Sequence, residues 1–555
     1  MTTSTDAGAR EARGFYEIAA ADPQRAAIHV DGAVVMYGDL LGRVNQWSHL
    51  LSGPRGVSRG GTIAVVLPNS LDFVVAQLAV EQTGLRMVPV NWHLTAAEIA
   101  YLLDDSGSGL VITDPQHAHV VGEAAAEVGI AGDALLLTGQ PDTGIALEAL
   151  LAEQPVATPS GRHAGSMLFY SSGTSGRPKG VRRPFPTSTP DEAADARSRQ
   201  RSAQFGMGEE HQVHLAVAPL YHPGPNLNAL SALHLGQELV LRPRFDPREM
   251  LELIDAHRVT STFMVPVMFH RMLELPEADR ARFDGSSLEV VMHAGAPCPV
   301  EVKHKMIRWW GPVLTEYYGC TEFGMATLVT SQVWLDKPGS VGRAADGISL
   351  QIRDDHGVSL PPGEIGTIWV RGGYEFAYSG AAVSVASDQE GPADGFRTAG
   401  DVGYLDEDDF LYVGDRRADL ILSGGVNIYP AEVEAALVTE PTVADAVVVG
   451  VPDTEWGQRV VAVVELKPGE EAGEEAVERL RRHLAPRLAR FKSPREYRFV
   501  DSVHRTSLGK VNRTRILDEV LLPTTAKARP ASDAAVLTRR VLCRGGSRTD
   551  REEPR

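Results

Sequence analysis

One run of the sequence has the makings of an anion cradle: Tyr170-Ser171-Ser172-Gly173-Thr174-Ser175-Gly176-Arg177-Pro178-Lys179-Gly180-Val181. Ser171, Ser172, Thr174 and Ser175 supply hydroxyls, and the glycines let the backbone approach a ligand closely and adopt positive φ. Hydroxyls and backbone N–H groups can surround phosphate oxygens, and Lys179 adds positive charge. By composition alone the stretch also suits a flexible Ser/Gly loop. Two better-known frames do not fit: Gly173 and Lys179 lack the Walker spacing, and no G-x-S-x-G elbow closes.

In order as well as composition, this run resembles the signature loop of the adenylate-forming superfamily. That superfamily includes acyl-CoA and aryl-CoA synthetases, peptide-synthetase adenylation domains and beetle luciferases. Its further motifs follow in sequence. Pro219-Leu220-Tyr221-His222 resembles the aromatic/His motif at the acyl pocket, where His222 would lie near the acid's carboxylate. His293-Ala294-Gly295-Ala296-Pro297-Cys298 resembles the turn flanking adenine, where small residues let the backbone approach a flat base. Glu316-Tyr317-Tyr318-Gly319-Cys320-Thr321-Glu322 is a second strong match. The resemblance implies that Tyr318 stacks on adenine, with Gly319 and Cys320 beside it, that Thr321 bonds phosphate, and that Glu322 binds magnesium, a cation that takes oxygen ligands.

By the same resemblance, Asp401 would accept both ribose hydroxyls, a task suited to a carboxylate, and Arg416 would reach the nucleotide. Gly424 and Gly425, in Ser423–Asn427, would line the pantetheine tunnel of coenzyme A. Lys510, in the run 506–513, would be the catalytic lysine, its ammonium placed between carboxylate and α-phosphate. The implied enzyme is an acyl-CoA synthetase. ATP and an acid give acyl-AMP, a small lid domain rotates, and coenzyme A then displaces AMP.

Two positions depart from the pattern. Ala418 stands where relatives carry a charged hinge residue, and Cys320 where many carry a small residue without a thiol. Ala418 leaves open an enzyme that performs mainly one half-reaction, either thioester formation from a supplied acyl-AMP or adenylation for a carrier protein. A peptide-synthetase adenylation domain would place an Asp near Tyr221, and none is there. A luciferase-type oxygenase is a rarer alternative. A non-catalytic nucleotide- or acyl-binding module should have lost Lys510 or Glu322, and both are present. The tract 293–310 looks most like fatty-acid and bile-acid-type ligases, so we expect a hydrophobic acid: fatty, steroid-like or terpenoid.

Elements must bring these segments together. Residues 60–70, 85–92 and 108–114 read as short buried strands, and residues 70–84 as an amphipathic helix. That alternation continues through 211–220, 251–266 and 286–299, which argues for parallel α/β layers. Residues 347–355, 363–372 and 403–415 read as antiparallel hairpins, and the acidic run 406–409 as a turn facing solvent. Residues 430–440 read as a helix opened by Pro430. Strands at 443–454 and 457–468, a helix at 473–489 and a strand at 493–503 complete a small unit. The expected fold is α/β: a large N-terminal domain (1–415) with two α/β layered sheets and a β-barrel-like part, a hinge (416–418), a small α+β C-terminal lid domain (419–523) and a flexible tail (524–555).

Bulk properties agree. The 555 residues carry a formal net charge of −18, which disfavours nucleic acid, since no basic stripe meets phosphates. Cys298, Cys320 and Cys543 form no ligand or disulfide spacing. No apolar run is long enough to span a bilayer and the N-terminus lacks a secretory pattern, so a cytoplasmic protein is expected, with a homodimer left open.

Overall fold

The computed structural model describes residues 14–139, 141, 144–171, 178–208, 212–379, 394–416, 419, 421–423, 426–428, 430–453, 457–488, 490–503, 505, 511, 513 and 515–517. The tail expected at 524–555 lies outside the described residues.

Short runs of β-branched and aliphatic residues form the strands, and they assemble into two large sheets. In the first, Thr62–Val66 lies between parallel Arg86–Pro89 and Ser108–Thr113, with Ser166–Ser171 parallel to Arg86–Pro89 on the outer side. Lys179–Arg182 then turns back antiparallel on Ser166–Ser171. In the second, Ala26–Val30, Glu238–Leu241, Val213–Ala216, Ser261–Met264, Val290–His293 and Leu314–Cys320 run parallel in that spatial order. Gly324–Thr330 follows as an antiparallel neighbour, with Arg343–Ala344 beyond it at the edge. Among the described residues the two sheets have eight and nine strands.

The helix Leu71–Thr83 differs from its sequence pattern. It is no amphipathic surface helix: every residue from Phe73 to Gln82 is buried. It packs between the two sheets, in one core that holds Ile63 and Val65 of the first sheet with Leu239 and Leu241 of the second. Its polar side chains are matched internally, as burial demands. Gln77 Nε2 donates to Asn226 Oδ1 at 3.0 Å, and Asn226 Nδ2 donates to Gln77 Oε1 at 2.7 Å. Asn226 belongs to the helix Pro223–His234, which is also buried and begins on a proline whose fixed φ suits the first helical turn.

The barrel-like part is a four-stranded antiparallel sheet: Ser349–Arg353, Gly366–Arg371, Asp401–Leu405 and Leu411–Arg416. A bridge from Gly342 to Leu411 ties it to the second large sheet. The acidic turn between its last two strands does more than face solvent. Lys337 donates to Asp406 at 2.8 Å and to Asp408 at 2.5 Å.

The fourth sheet pairs Val443–Asp453 antiparallel with Gly457–Leu466, and Glu496–Val500 runs parallel beside the latter. The helix Glu474–Leu484 covers it with Ala476, Leu480 and Leu484, a four-residue spacing that keeps one face inward. This unit meets the large body through His270, whose ring bonds the Ala444 carbonyl at 3.2 Å, and through Lys467 paired with Glu274 at 2.7 Å. No helix among the described residues is long and apolar enough to cross a membrane.

Candidate active site

Parallel strands present their carboxyl ends on one side, and the crevice outside those ends is where α/β sheets collect ligands. Both large sheets do so here, and a cavity of about 2880 Å³ opens between those ends and the small unit. Ser171 and Lys179 reach it from the first sheet, where they face each other in register. Of the residues between them, 172–177 lie outside the described residues and include Ser172, Gly173, Thr174, Ser175 and Gly176.

Both ends of that loop are anchored by a helix that motif reading missed. From the helix Ala96–Ser106, Tyr101 donates to the Pro178 carbonyl at 2.8 Å, and Asp105 accepts from Tyr170 at 2.7 Å and from Ser379. Burial and the Asp105 contact raise the Tyr170 hydroxyl above its usual range, so it stays a donor. Tyr101 and Asp105 are one helical turn apart, and that spacing was the available signal.

The second sheet supplies the other wall. Gly295, Ala296 and Pro297 follow the strand Val290–His293, and Gly295 sits at φ +90, a region that favours glycine. Tyr318, Gly319, Cys320, Thr321 and Glu322 line the cavity at the end of Leu314–Cys320. A Cβ on Gly319 would lie 2.1 Å from the Gly324 carbonyl oxygen, so the ladder there admits no side chain. Tyr318 Oη donates to Asp401 Oδ2 at 2.7 Å, which joins two predicted site residues directly. Tyr378 Oη donates to Glu322 at 3.4 Å, and the Lys179 ammonium stands 5.1 Å from the Tyr378 ring centroid. Arg183 donates to the Thr321 carbonyl at 3.2 Å and lies 3.9 Å over the Tyr374 ring.

His222 stands just before the helix Pro223–His234 and lines the same cavity. Asp401 does so from the antiparallel sheet, paired across the ladder with Arg416, of which only the backbone is described. Gly424, Gly425, Ala418 and Lys510 lie outside the described residues. Arg505 pairs with Asp445 at 2.6 Å and Arg513 with Glu434 at 3.0 Å, and both arginines line the cavity.

A buried charge cluster supports this wall. Lys303 Nζ lies 2.6 Å from Glu316 Oε2, with no side-chain exposure on the lysine, and His293 Nε2 is 3.8 Å from the same oxygen. Burial raises the Glu316 carboxyl against the pull of Lys303, and burial with the Lys303 charge holds His293 well below its usual value, hence neutral. Lys303 also stands 4.6 Å from the Trp334 ring. The pair fixes the helix Val300–Trp310 against the strand that carries Tyr318, a link that one-dimensional motifs do not reveal. Burial raises the thiols of Cys298 and Cys320, so neither offers a thiolate. Among the described residues, no group of three or more His, Cys, Asp or Glu is arranged to hold a metal ion.

Family models match along the chain: the AMP-binding enzyme model over residues 15–377 and the AMP-binding enzyme C-terminal domain over residues 432–510. The chain belongs to the AMP-binding enzyme family. Among curated members, it is 34% identical over 471 residues to a 2-succinylbenzoate–CoA ligase of Bacillus licheniformis, covering 83% of this chain and 90% of that one. It is 29% identical over 487 residues to the long-chain-fatty-acid–CoA ligase FadD13 of Mycobacterium tuberculosis, covering 87% and 92%. Among solved family structures, it resembles the o-succinylbenzoate CoA synthetase of Bacillus subtilis in complex with its acyl-adenylate, with a TM-score of 0.75, 27% identity and coverage of 90% and 97%.

Proposed function

We propose that the protein is an AMP-forming acyl-CoA synthetase, an acid–thiol ligase that uses ATP, magnesium and coenzyme A. The observation that carries this is the gathering of Ser171, Lys179, Gly295, Tyr318, Thr321, Glu322 and Asp401 around one cavity, although they are far apart in sequence.

The acid's carboxylate oxygen attacks the α-phosphorus of ATP, and the bond to pyrophosphate breaks. Lys179 and the hydroxyl loop hold phosphate charge, and Thr321 donates to the α-phosphate. Asp401 takes the ribose hydroxyls and Tyr318 meets the adenine, its own hydroxyl already aligned by Asp401. Glu322 suits magnesium as a single carboxylate, since that ion takes its other ligands from phosphates and water. Held by Glu322, magnesium would supply positive charge to offset that of the phosphates. Lys510 bridges carboxylate and phosphate in this step. The thiol of coenzyme A then attacks the acyl carbonyl, the bond from that carbon to the phosphate oxygen breaks, and AMP leaves. Gly424 and Gly425 would line the thiol's approach after residues 419–523 rotate relative to residues 1–415.

The acid should have a hydrophobic body of fatty, steroid-like or terpenoid kind. Tyr221, Leu227, Phe263 and Val265 support this by lining the cavity beside His222. The relatives' named substrates run from long-chain fatty acids to 2-succinylbenzoate, which share the activated carboxylate and differ in the body attached to it. The test is ATP–pyrophosphate exchange over a panel of acids, with AMP and thioester read separately after coenzyme A is added. Equal amounts of AMP and thioester are expected. AMP without thioester would redirect the second step to a carrier protein, and silence with every acid would sink the assignment.

A further inference from the structure

The helix Pro190–Phe205 is composed mostly of polar and charged residues, yet Ala194, Ser198, Arg201 and Phe205 form an inward stripe at helical spacing. Arg201 is only 9% exposed and lines the cavity with Gln200 and Gln204. Two nearby arginines have partners. Arg197 pairs with Glu81 at 2.5 Å, and Arg183 bonds the Thr321 carbonyl. Arg201 differs: among the described residues its guanidinium makes no ion pair and no hydrogen bond, and its recorded ring contact is Phe205, at 5.4 Å. Around it stand Tyr317, Tyr374 and the like charge of Arg197.

A guanidinium keeps its proton in a protein. Burying one without an anion is costly, and a methionine of similar volume would remove that cost. The cavity therefore holds a desolvated cation, and the apolar residues Phe263 and Leu227 line the same space. Its planar fork matches a carboxylate in two parallel bonds. Such a grip occupies both oxygens, which suits a carboxylate that does not react.

We propose that Arg201 recognises a second carboxylate on the acid, separate from the one that is activated. The substrate class is then a dicarboxylic acid with an apolar body. This rests on the acid-activating reading above, and the test separates the two.

Wild type, Arg201→Met and Arg201→Lys are assayed for acid-dependent AMP formation with matched pairs. Each pair is a monoacid and a diacid on the same skeleton, linear or aromatic, from short to long. In the best pair, wild type should favour the diacid by roughly 10- to 100-fold in kcat/KM, the value of a charge-assisted bond. In Arg201→Met that ratio should collapse towards unity, and Arg201→Lys should fall between. Without ligand, Arg201→Met should melt no lower than wild type, and diacid alone should raise the melting temperature of wild type but not of the variant. The proposal is overturned if wild type favours the monoacid in every pair, if the ratio is the same in Arg201→Met, or if the substitution raises the KM for ATP with every acid. Should no acid yield AMP, the activation reading fails by itself, and diacid-dependent melting still decides the role of Arg201.

Discussion

The two ends of the cavity are built on opposite plans. At the end we assign to the nucleotide, the polar groups are engaged with one another: Tyr318 with Asp401, Tyr378 with Glu322, Arg183 with the Thr321 carbonyl, Lys303 with Glu316. At the end we assign to the acid, the walls include apolar side chains such as Phe263 and Leu227, and the unmatched Arg201 lines the same cavity. The first plan suits a ligand common to every turnover and needs preorganisation. The second suits the component that distinguishes one family member from another. Changes at the nucleotide end should therefore act alike on all acids, whereas changes at the acyl end should reorder them.

The largest effect should follow from unmatching the support of the nucleotide end. Glu316→Leu leaves Lys303 charged and buried, and should cost about 3–5 kcal/mol in denaturant unfolding. Lys303→Met combined with Glu316→Leu should recover most of it. A double variant as unstable as the single one would mean that the pair does not set the stability of this wall.

Next is Lys510→Ala, which should slow acyl-AMP formation by about 2.7–4 kcal/mol if it acts as a preorganised donor. The factor should be the same for every acid, and thioester formation from supplied acyl-AMP should persist. A loss of pyrophosphate exchange that differs in size from acid to acid would break the contrast between the two ends.

Phe263→Leu tests the acyl end. It nearly conserves volume and should cost less than about 1.5 kcal/mol of stability. The ranking of acids by kcat/KM should change while the KM for ATP holds. An unchanged ranking with a shifted ATP KM would reverse our placement of the two ends.

The smallest effect should come from Tyr318→Phe. The ring remains, but the hydrogen bond to Asp401 is lost, a change worth about 0.5–1.5 kcal/mol. It should appear as a raised ATP KM, equal for all acids. No change in that KM would separate the Tyr318–Asp401 contact from nucleotide binding.

The same contrast explains what the sequence could reveal. Strand ends are contiguous in the chain, so Tyr318 to Glu322 and Gly295 to Pro297 can be read as motifs, and the cavity gathers them. The parallel sheets were legible because their strands are short aliphatic runs between helices. Lys303, Tyr101 and Asp105 were not, because each acts from a helix on a strand or loop that only packing brings near. Arg201 was hidden for another reason: its helix is mostly polar, so hydrophobic periodicity gives little sign of which face points inward. The helix Leu71–Thr83 misled in the other direction, since Gln77, Glu81 and Gln82 suggest a wet face and are in fact buried. The loop around Lys510, with Gly424 and Gly425, rests on resemblance alone.

The reciprocal amide pair between Gln77 and Asn226 has a mechanical consequence. Two amides that trade donor for acceptor in a dry interior cannot slide or swivel without stranding both at once. The paired helices thus clasp one sheet to the other, and the floor of the cavity behaves as a single slab. Whatever travel the catalytic cycle demands must be borne by the polypeptide beyond that slab.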